Sequence, residues 1–349
     1  MSSVARVGDM SAIVTLDYHG NVQYFSQTIG AGRWNKNPVS YEFKFTSAPS
    51  VAQVGDSAVI AVAGPDQTLV YYYQAISTLP SADWTLGFYL DDQRRMSQSP
   101  SVAQVGDSAV VAFVDSFGTL WSYQLNISTG SWSNPPPQQV AGPGATAFAL
   151  QSPSVAQVGD SAVIAAVDTG GGLRFYWQAI GTTPWNAELV DGPATGSGRI
   201  LAYPSVAQVG DSAVIIAVDN TGSLWSYWQA IGTRPWNPDP VFLTEPEAPF
   251  STLPYPSVAR VGDSAVIAAA NSNPDVSLWF YWRAISGGGW NSEGVPSGTI
   301  LASPSVAQVG NSSVITASDD WGNLWYFWQT IGTEGWNPEQ VASYQSLGG

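Results

Sequence analysis

The fold class this sequence predicts is all-β, a seven-bladed β-propeller with four antiparallel strands per blade. Three observations predict it. One segment returns seven times at a nearly fixed interval, each copy holds four short extended runs, and the composition suits β structure rather than helix. The repeated segment is Pro-Ser-Val-Ala-Gln continuing into Val-Gly-Asp-Ser-Ala-Val. Taken in its Ser-Val-Ala register, it begins at Ser3, Ser50, Ser101, Ser154, Ser205, Ser257 and Ser305. A period of about fifty residues belongs to solenoids, propellers or arrays. Seven copies fill the 349 residues, so the chain reads as one closed domain. Its expected blades span roughly 1–46, 47–97, 98–150, 151–201, 202–253, 254–301 and 302–349.

The fifth copy shows the elements in order. Ser205 to Gly210 is a run of small and β-branched residues closed by Gly210-Asp211, a two-residue hairpin signal in which glycine can take a positive φ. Ala213 to Val218 is a second strand, ended by the turn cluster Asp219-Asn220-Thr221-Gly222. Leu224 to Ile231 reads as an aromatic third strand, Gly232-Thr233-Arg234-Pro235 turns the chain, and Trp236-Asn237 opens a weaker fourth. Four strands in one repeat describe a propeller blade. A β-solenoid would need shorter coils and capped ends. The small first strand suits the crowded axis, and the bulky third suits the wider radius. Met1 and Gly349 would then border the junction of blades one and seven, with strand exchange across it left open.

Hydrophobic residues make up 44% of the chain, aromatics 12% and charged residues only 11%, which argues against a helical array or a disordered chain. The net charge of -15 repels phosphate backbones and anionic lipid surfaces, so nucleic acid is not an expected partner. No cysteine is present, which removes disulfides and thiolate metal sites and leaves stability to packing and ring closure. The start of the sequence already belongs to the first repeat and lacks the layout of a signal peptide, and no apolar run is long enough to span a bilayer. The expectation is synthesis in the cytoplasm, no membrane insertion, and action outside the cell after non-classical release.

Aligning the copies sorts the 16 tryptophans. One class occurs in every blade: Trp34, Trp84, Trp132, Trp185, Trp236, Trp290 and Trp336. A second holds the fifth position of the third strand at Trp177, Trp228, Trp282 and Trp328, with Ser26, Tyr73 and Gln124 in the earlier blades. A third holds that strand's second position at Trp121, Trp225, Trp279 and Trp325, and Trp321 stands alone in a turn. In blades four to seven the first two classes lie eight residues apart. That spacing predicts a cross-strand pair on one face of a hairpin, 177 with 185, 228 with 236, 282 with 290 and 328 with 336. An indole offers a flat apolar face that stacks on the C–H face of a sugar. Asn186, Asn237, Asn291 and Asn337, with Gln178, Gln229 and Gln329, would supply groups for its hydroxyls. The other reading is inter-blade core. It suits the class present in all blades better, whereas the classes that vary between blades favour ligand contact.

Other chemistry finds less support. Asp17, Asp115, Asp168, Asp219 and Asp319 sit in the turn after the second strand, and an Asx turn accounts for them. They approach the sialidase Asp box with one residue too many before glycine. No turn gathers the oxygen ligands a calcium site needs, so neither metal nor cofactor is expected. His19 is the only histidine and reads as a solvated loop residue, and similar residues spread over seven blades do not make one asymmetric catalytic constellation. The chain does not read as an enzyme.

The segments PSVAQVGDSAVIAAVD, SLWSYWQAIGTRPWNP and NLWYFWQTIGTEGWNPEQVA resemble the repeat of the seven-bladed β-propeller lectins of the PLL type from insect-pathogenic bacteria, over essentially the whole chain. The resemblance implies metal-independent binding of fucose-like and O-methylated sugars on cell-surface glycans, in shallow pockets between adjacent blades, with homo-oligomerisation common. Blades four to seven follow the pattern best, and blades one to three depart from it at Ser26, Tyr73 and Gln124. Fewer than seven sites are expected, with Trp225, Trp279 and Trp325 among the site residues. A protein-interaction scaffold is the alternative. It would use the loops between strands two and three and the segments 142–151 and 244–253.

Overall fold

The computed structural model describes residues 2–40, 44–80, 83–87, 94–126, 136–142, 153–242, 254–271, 278–297 and 301–343. Seven four-stranded antiparallel sheets, each in the order first-second-third-fourth, form a seven-bladed propeller. Blade four is built from Ser154–Val158, Ser161–Val167, Leu173–Ala179 and Asn186–Asp191. Blade five uses Leu201–Val209, Ser212–Asp219, Leu224–Ala230 and Asn237–Phe242. Each Val-Gly-Asp-Ser junction is the expected two-residue hairpin: Val158 pairs with Ser161, and Gly159 between them has φ +56°. Only glycine takes that conformation without steric cost.

Strand alternation sends successive side chains to the two neighbouring blades. In blade two, Ala58, Ile60 and Val62 pack against Ala12, Val14 and Tyr24 of blade one. Val59, Ala61 and Ala63 of the same strand pack against Val111 and Phe113 of blade three. The core is therefore seven slabs, one between each pair of blades.

The first strand is innermost, and its repeated residues are explained by bonds between blades. The serine Oγ of one blade accepts the valine N–H of the next all the way round. Val51 bonds to Ser3, Val102 to Ser50, Val155 to Ser101, Val206 to Ser154, Val258 to Ser205, Val306 to Ser257 and Val4 to Ser305, at 3.0–3.4 Å. A second ring lies at the hairpins. Gln208 accepts the Gly159 N–H of the preceding blade at 2.9 Å and donates to the Gly210 carbonyl of its own blade at 2.9 Å. Gln53, Gln104, Gln157 and Gln308 do the same. Arg6 and Arg260 replace this glutamine in blades one and six and keep only the donor half, to the Gly8 and Gly262 carbonyls.

Among the described residues the ring closes without strand exchange. Blade seven consists of Leu301–Val309, Ser312–Asp319, Leu324–Thr330 and Asn337–Ala342, and blade one of Ser2–Val7, Met10–Leu16, Val22–Gln27 and Asn35–Pro38. Side chains join the two: Ser11 Oγ lies 2.6 Å from the Tyr326 hydroxyl, and Ser2 donates to Thr316 at 3.3 Å.

The turn carboxylates are Asx turns. Asp219 Oδ1 accepts the N–H groups of Thr221 and Ser223, and its Oδ2 accepts Trp225 Nε1 at 2.9 Å. Asp115 and Asp319 hold Trp121 and Trp325 in the same way, and Asp168 holds Arg174.

Candidate ligand clefts between blades

The third and fourth strands of each blade set the clefts, and their register decides which tryptophans meet. Within its own blade Trp177 faces Asn186, Trp228 faces Asn237, Trp282 faces Asn291 and Trp328 faces Asn337. The separation across each hairpin is thus one residue longer than the eight-residue spacing, and a one-residue shift turns a side chain to the opposite face. The expected pairs within a blade do not form. Trp185 instead packs toward blade three and donates to Ser122 Oγ at 3.1 Å.

The tryptophans meet across blades. The third-strand ring of one blade shares a slab with the second tryptophan of the next: Trp177 with Trp236, Trp228 with Trp290, Trp282 with Trp336 and Trp328 with Trp34. Two of these clefts share one architecture. Between blades four and five, Phe175 stacks beside Trp177 at 5.9 Å and meets Trp236 edge-on at 5.0 Å. Between blades six and seven, Phe280 stacks beside Trp282 at 5.8 Å and meets Trp336 edge-on at 5.0 Å. Trp236 and Trp336 are buried, whereas Trp177 and Trp282 are half-buried, and Trp177 lines the cleft between blades four and five.

A carboxylate organises the polar side of each. Glu188 Oε1 accepts Trp236 Nε1 at 2.7 Å and Gln229 Nε2 at 3.1 Å, and its Oε2 pairs with Arg234 at 3.1 Å. Glu293 Oε1 accepts Trp336 Nε1 at 2.8 Å and Gln329 Nε2 at 3.3 Å. The cleft between blades four and five encloses about 450 Å³. Val158, Phe175 and Ala213 form its apolar wall, and Trp177, Glu188, Gln229 and Arg234 line it as well. A half-open indole face beside fixed amide, carboxylate and guanidinium groups suits a small polyhydroxylated ligand with one apolar face.

The remaining clefts differ. Between blades seven and one, Glu339 accepts Trp328 Nε1 at 2.9 Å, Trp34 Nε1 at 3.2 Å and Gln27 Nε2 at 3.1 Å, and Trp34 meets Tyr326 edge-on. Between blades five and six, Asp239 takes the carboxylate position and pairs with Arg283 at 2.7 Å. Between blades three and four, Gln178 bonds to Gln124 and Gln138, and Gln124 holds the third-strand position that carries tryptophan in blades four to seven. Trp132 and most of the segments 142–151 and 244–253 lie outside the described residues.

Several expected site residues are placed elsewhere. Trp225 and Trp325 are bound by N–H to the Asx-turn carboxylates, near the turn between the second and third strands. Trp225 lies on the same strand face as Gln229 but four residues away, about 13 Å along the strand. Trp279, at the same position, stacks beside Tyr281 in the slab between blades five and six. Asn186, Asn237 and Asn337 turn back to the carbonyls of Trp177, Trp228 and Trp328 at 3.2–3.4 Å, and Asn291 is exposed. The residues missed are Glu188, Asp239, Glu293 and Glu339. A sequence signal for them exists: Trp-Asn followed two residues later by an acid, in blades four to seven only.

At the far end of the slab between blades four and five, burial opposes ionisation of Asp191. Hydrogen bonds from Ser197, Thr195, Tyr227 and the Gly192 N–H outweigh it and hold the carboxyl below its ordinary range. Asp219 and Asp319 are lowered likewise: burial works against their charge, and bonds from Thr221, Trp225, Asn323 and Trp325 prevail. Among the described residues no group of three or more His, Cys, Asp or Glu could hold a metal ion.

No protein-family model matches the sequence, and no curated protein matches it significantly. Solved structures share its fold. The BP39L lectin from Burkholderia pseudomallei superposes with a TM-score of 0.74 at 18% identity, over 98% of each chain. The SapL1 lectin in complex with alpha methyl fucoside gives 0.54 at 12% identity, over 98% of this chain and 96% of that one. A prolyl endopeptidase gives 0.62 at 10% identity, over 97% of this chain but 49% of its own. At these identities the likeness is one of fold.

Proposed function

We propose that this protein is a carbohydrate-binding propeller lectin that takes fucose-like or O-methylated neutral sugars in clefts between adjacent blades. The observation that carries the proposal is the recurrence of one cleft, built from a half-exposed tryptophan, an aromatic floor, a carboxylate and an amide. It occurs between blades four and five and again between blades six and seven. A sugar's C–H face would stack on Trp177 or Trp282, and its hydroxyls would donate to Glu188 or Glu293 and accept from Gln229, Gln329 or Arg234. The net charge of -15 favours neutral over anionic sugars. The lectin neighbours, one solved with a fucoside, support the ligand class.

Two like clefts on one rigid ring let a single molecule engage two residues of a glycosylated surface, which raises avidity without a new contact. The proposed role is binding, with no reaction catalysed, and surface glycans as ligands would have the protein act outside the cell. Calorimetric titration with methyl fucoside tests it. The native protein binds, Trp177→Ala and Trp282→Ala each remove one site while remaining folded, and the double variant does not bind. Blank titrations with methyl fucoside and its O-methylated derivatives refute the proposal.

A further inference from the structure

The cleft between blades five and six carries the aromatic pair with an internal occupant. Trp228 and Trp290 lie 6.2 Å apart there, yet three residues differ together from the two clefts described above. Ser226 stands where Phe175 and Phe280 form the floor, and its Oγ accepts the indole N–H of both Trp228 and Trp290. Asp239, shorter by one methylene, stands at the place of Glu188 and Glu293. Arg283 stands where Gln229 and Gln329 reach those carboxylates. Its Nη1 lies 2.7 Å from Asp239 Oδ2, and its guanidinium carbon lies 4.9 Å from the centre of the Trp228 ring.

We propose that Arg283 closes this cleft by lying on the Trp228 face that a sugar would otherwise use, so that blades five and six form a self-occupied site. The inference rests on the reading of the clefts as sugar sites. A planar guanidinium stacks on an indole and bonds to a carboxylate at the same time, and a sugar must displace both contacts. Arg234, beside Trp177, is not equivalent. It comes from the rim turn, stands 5.8 Å from the ring centre and its side chain is 70% exposed, whereas that of Arg283 is 24% exposed. An anionic sugar gains nothing from Arg283, because Asp239 already occupies its charge and repels a second carboxylate.

Arg283→Gln recreates the side chain found at this position in blades five and seven, so the variant is expected to fold. Titrated with methyl fucoside, it binds one more equivalent than the native protein. Unchanged stoichiometry in a folded variant overturns the proposal. A second readout needs no sugar: hydroxyl-radical oxidation of Trp228, followed by peptide mass spectrometry, rises several-fold in Arg283→Gln while that of Trp177 and Trp282 does not change. If methyl fucoside binds neither protein, the sugar reading falls and the oxidation result alone decides whether Arg283 covers the ring. An unchanged Trp228 rate overturns the closure whatever the titration shows.

Discussion

The innermost strands join all seven blades with the same serine-to-valine bond, whereas the clefts at larger radius are built in several different ways. A closed ring requires each inner junction to turn through a similar angle, so a small serine at the axis and a glycine hairpin recur in each blade. The clefts carry no such joint constraint. Phe175, Ser226, Phe280 and Tyr326 occupy one position in four successive blades while the sheets around them stay alike. Scaffold and site are thus separated by radius, and variation at the site leaves closure intact.

The comparison breaks most visibly at the cleft floors. Phe175→Ala removes a buried ring that touches both Trp177 and Trp236, and is expected to cost about 3–5 kcal/mol in denaturant unfolding. Phe280→Ala should cost the same, and a clear difference between the two would show that the clefts are not equivalent.

Glu188→Ala leaves Trp236 Nε1 and Gln229 Nε2 without their acceptor and should cost about 1–3 kcal/mol, with weaker sugar binding in that cleft alone. Glu188→Gln keeps an acceptor oxygen and should lose less. Equal losses in the two variants would mean that charge, rather than the acceptor, is what Trp236 requires.

The Asx-turn carboxylates supply a test at low pH. Asp219 and Asp319 are held below their ordinary value of 3.8, so the stability they contribute is fully present above that value and is lost as pH falls through their folded values. The denaturant midpoint should therefore fall below about pH 4, and fall less in Asp219→Asn, which has no proton to take up.

The smallest effect belongs to the inner ring. Arg260→Gln should restore an acceptor for the Gly210 N–H and stabilise by about 0.5–1.5 kcal/mol in denaturant unfolding, completing at blade six the bridge that Gln208 makes at blade five. No gain would show that the second ring follows from closure and does not support it.

The Gly-Asp hairpins, the aromatic third strands and the Asx turns were legible from the chain because each depends on residues a few positions apart. The tryptophan pairing was not. Trp177 and Trp185 are eight residues apart across a turn, but the turn pairs Trp177 with Asn186, and the pleat then points Trp185 at the neighbouring blade. Glu188 escaped notice for the same reason, since its partners Gln229 and Trp236 lie more than forty residues away in the chain.

The sevenfold propeller was thus determined by the sequence alone, because a repeat of hairpins that bury both faces of each sheet closes on itself with few alternatives. Which rings face each other, which carboxylate serves which cleft, and where Arg283 lies were decided only by the tertiary structure. Those contacts cross between blades, and the backbone register that sends a side chain to one face or the other changes with a single residue.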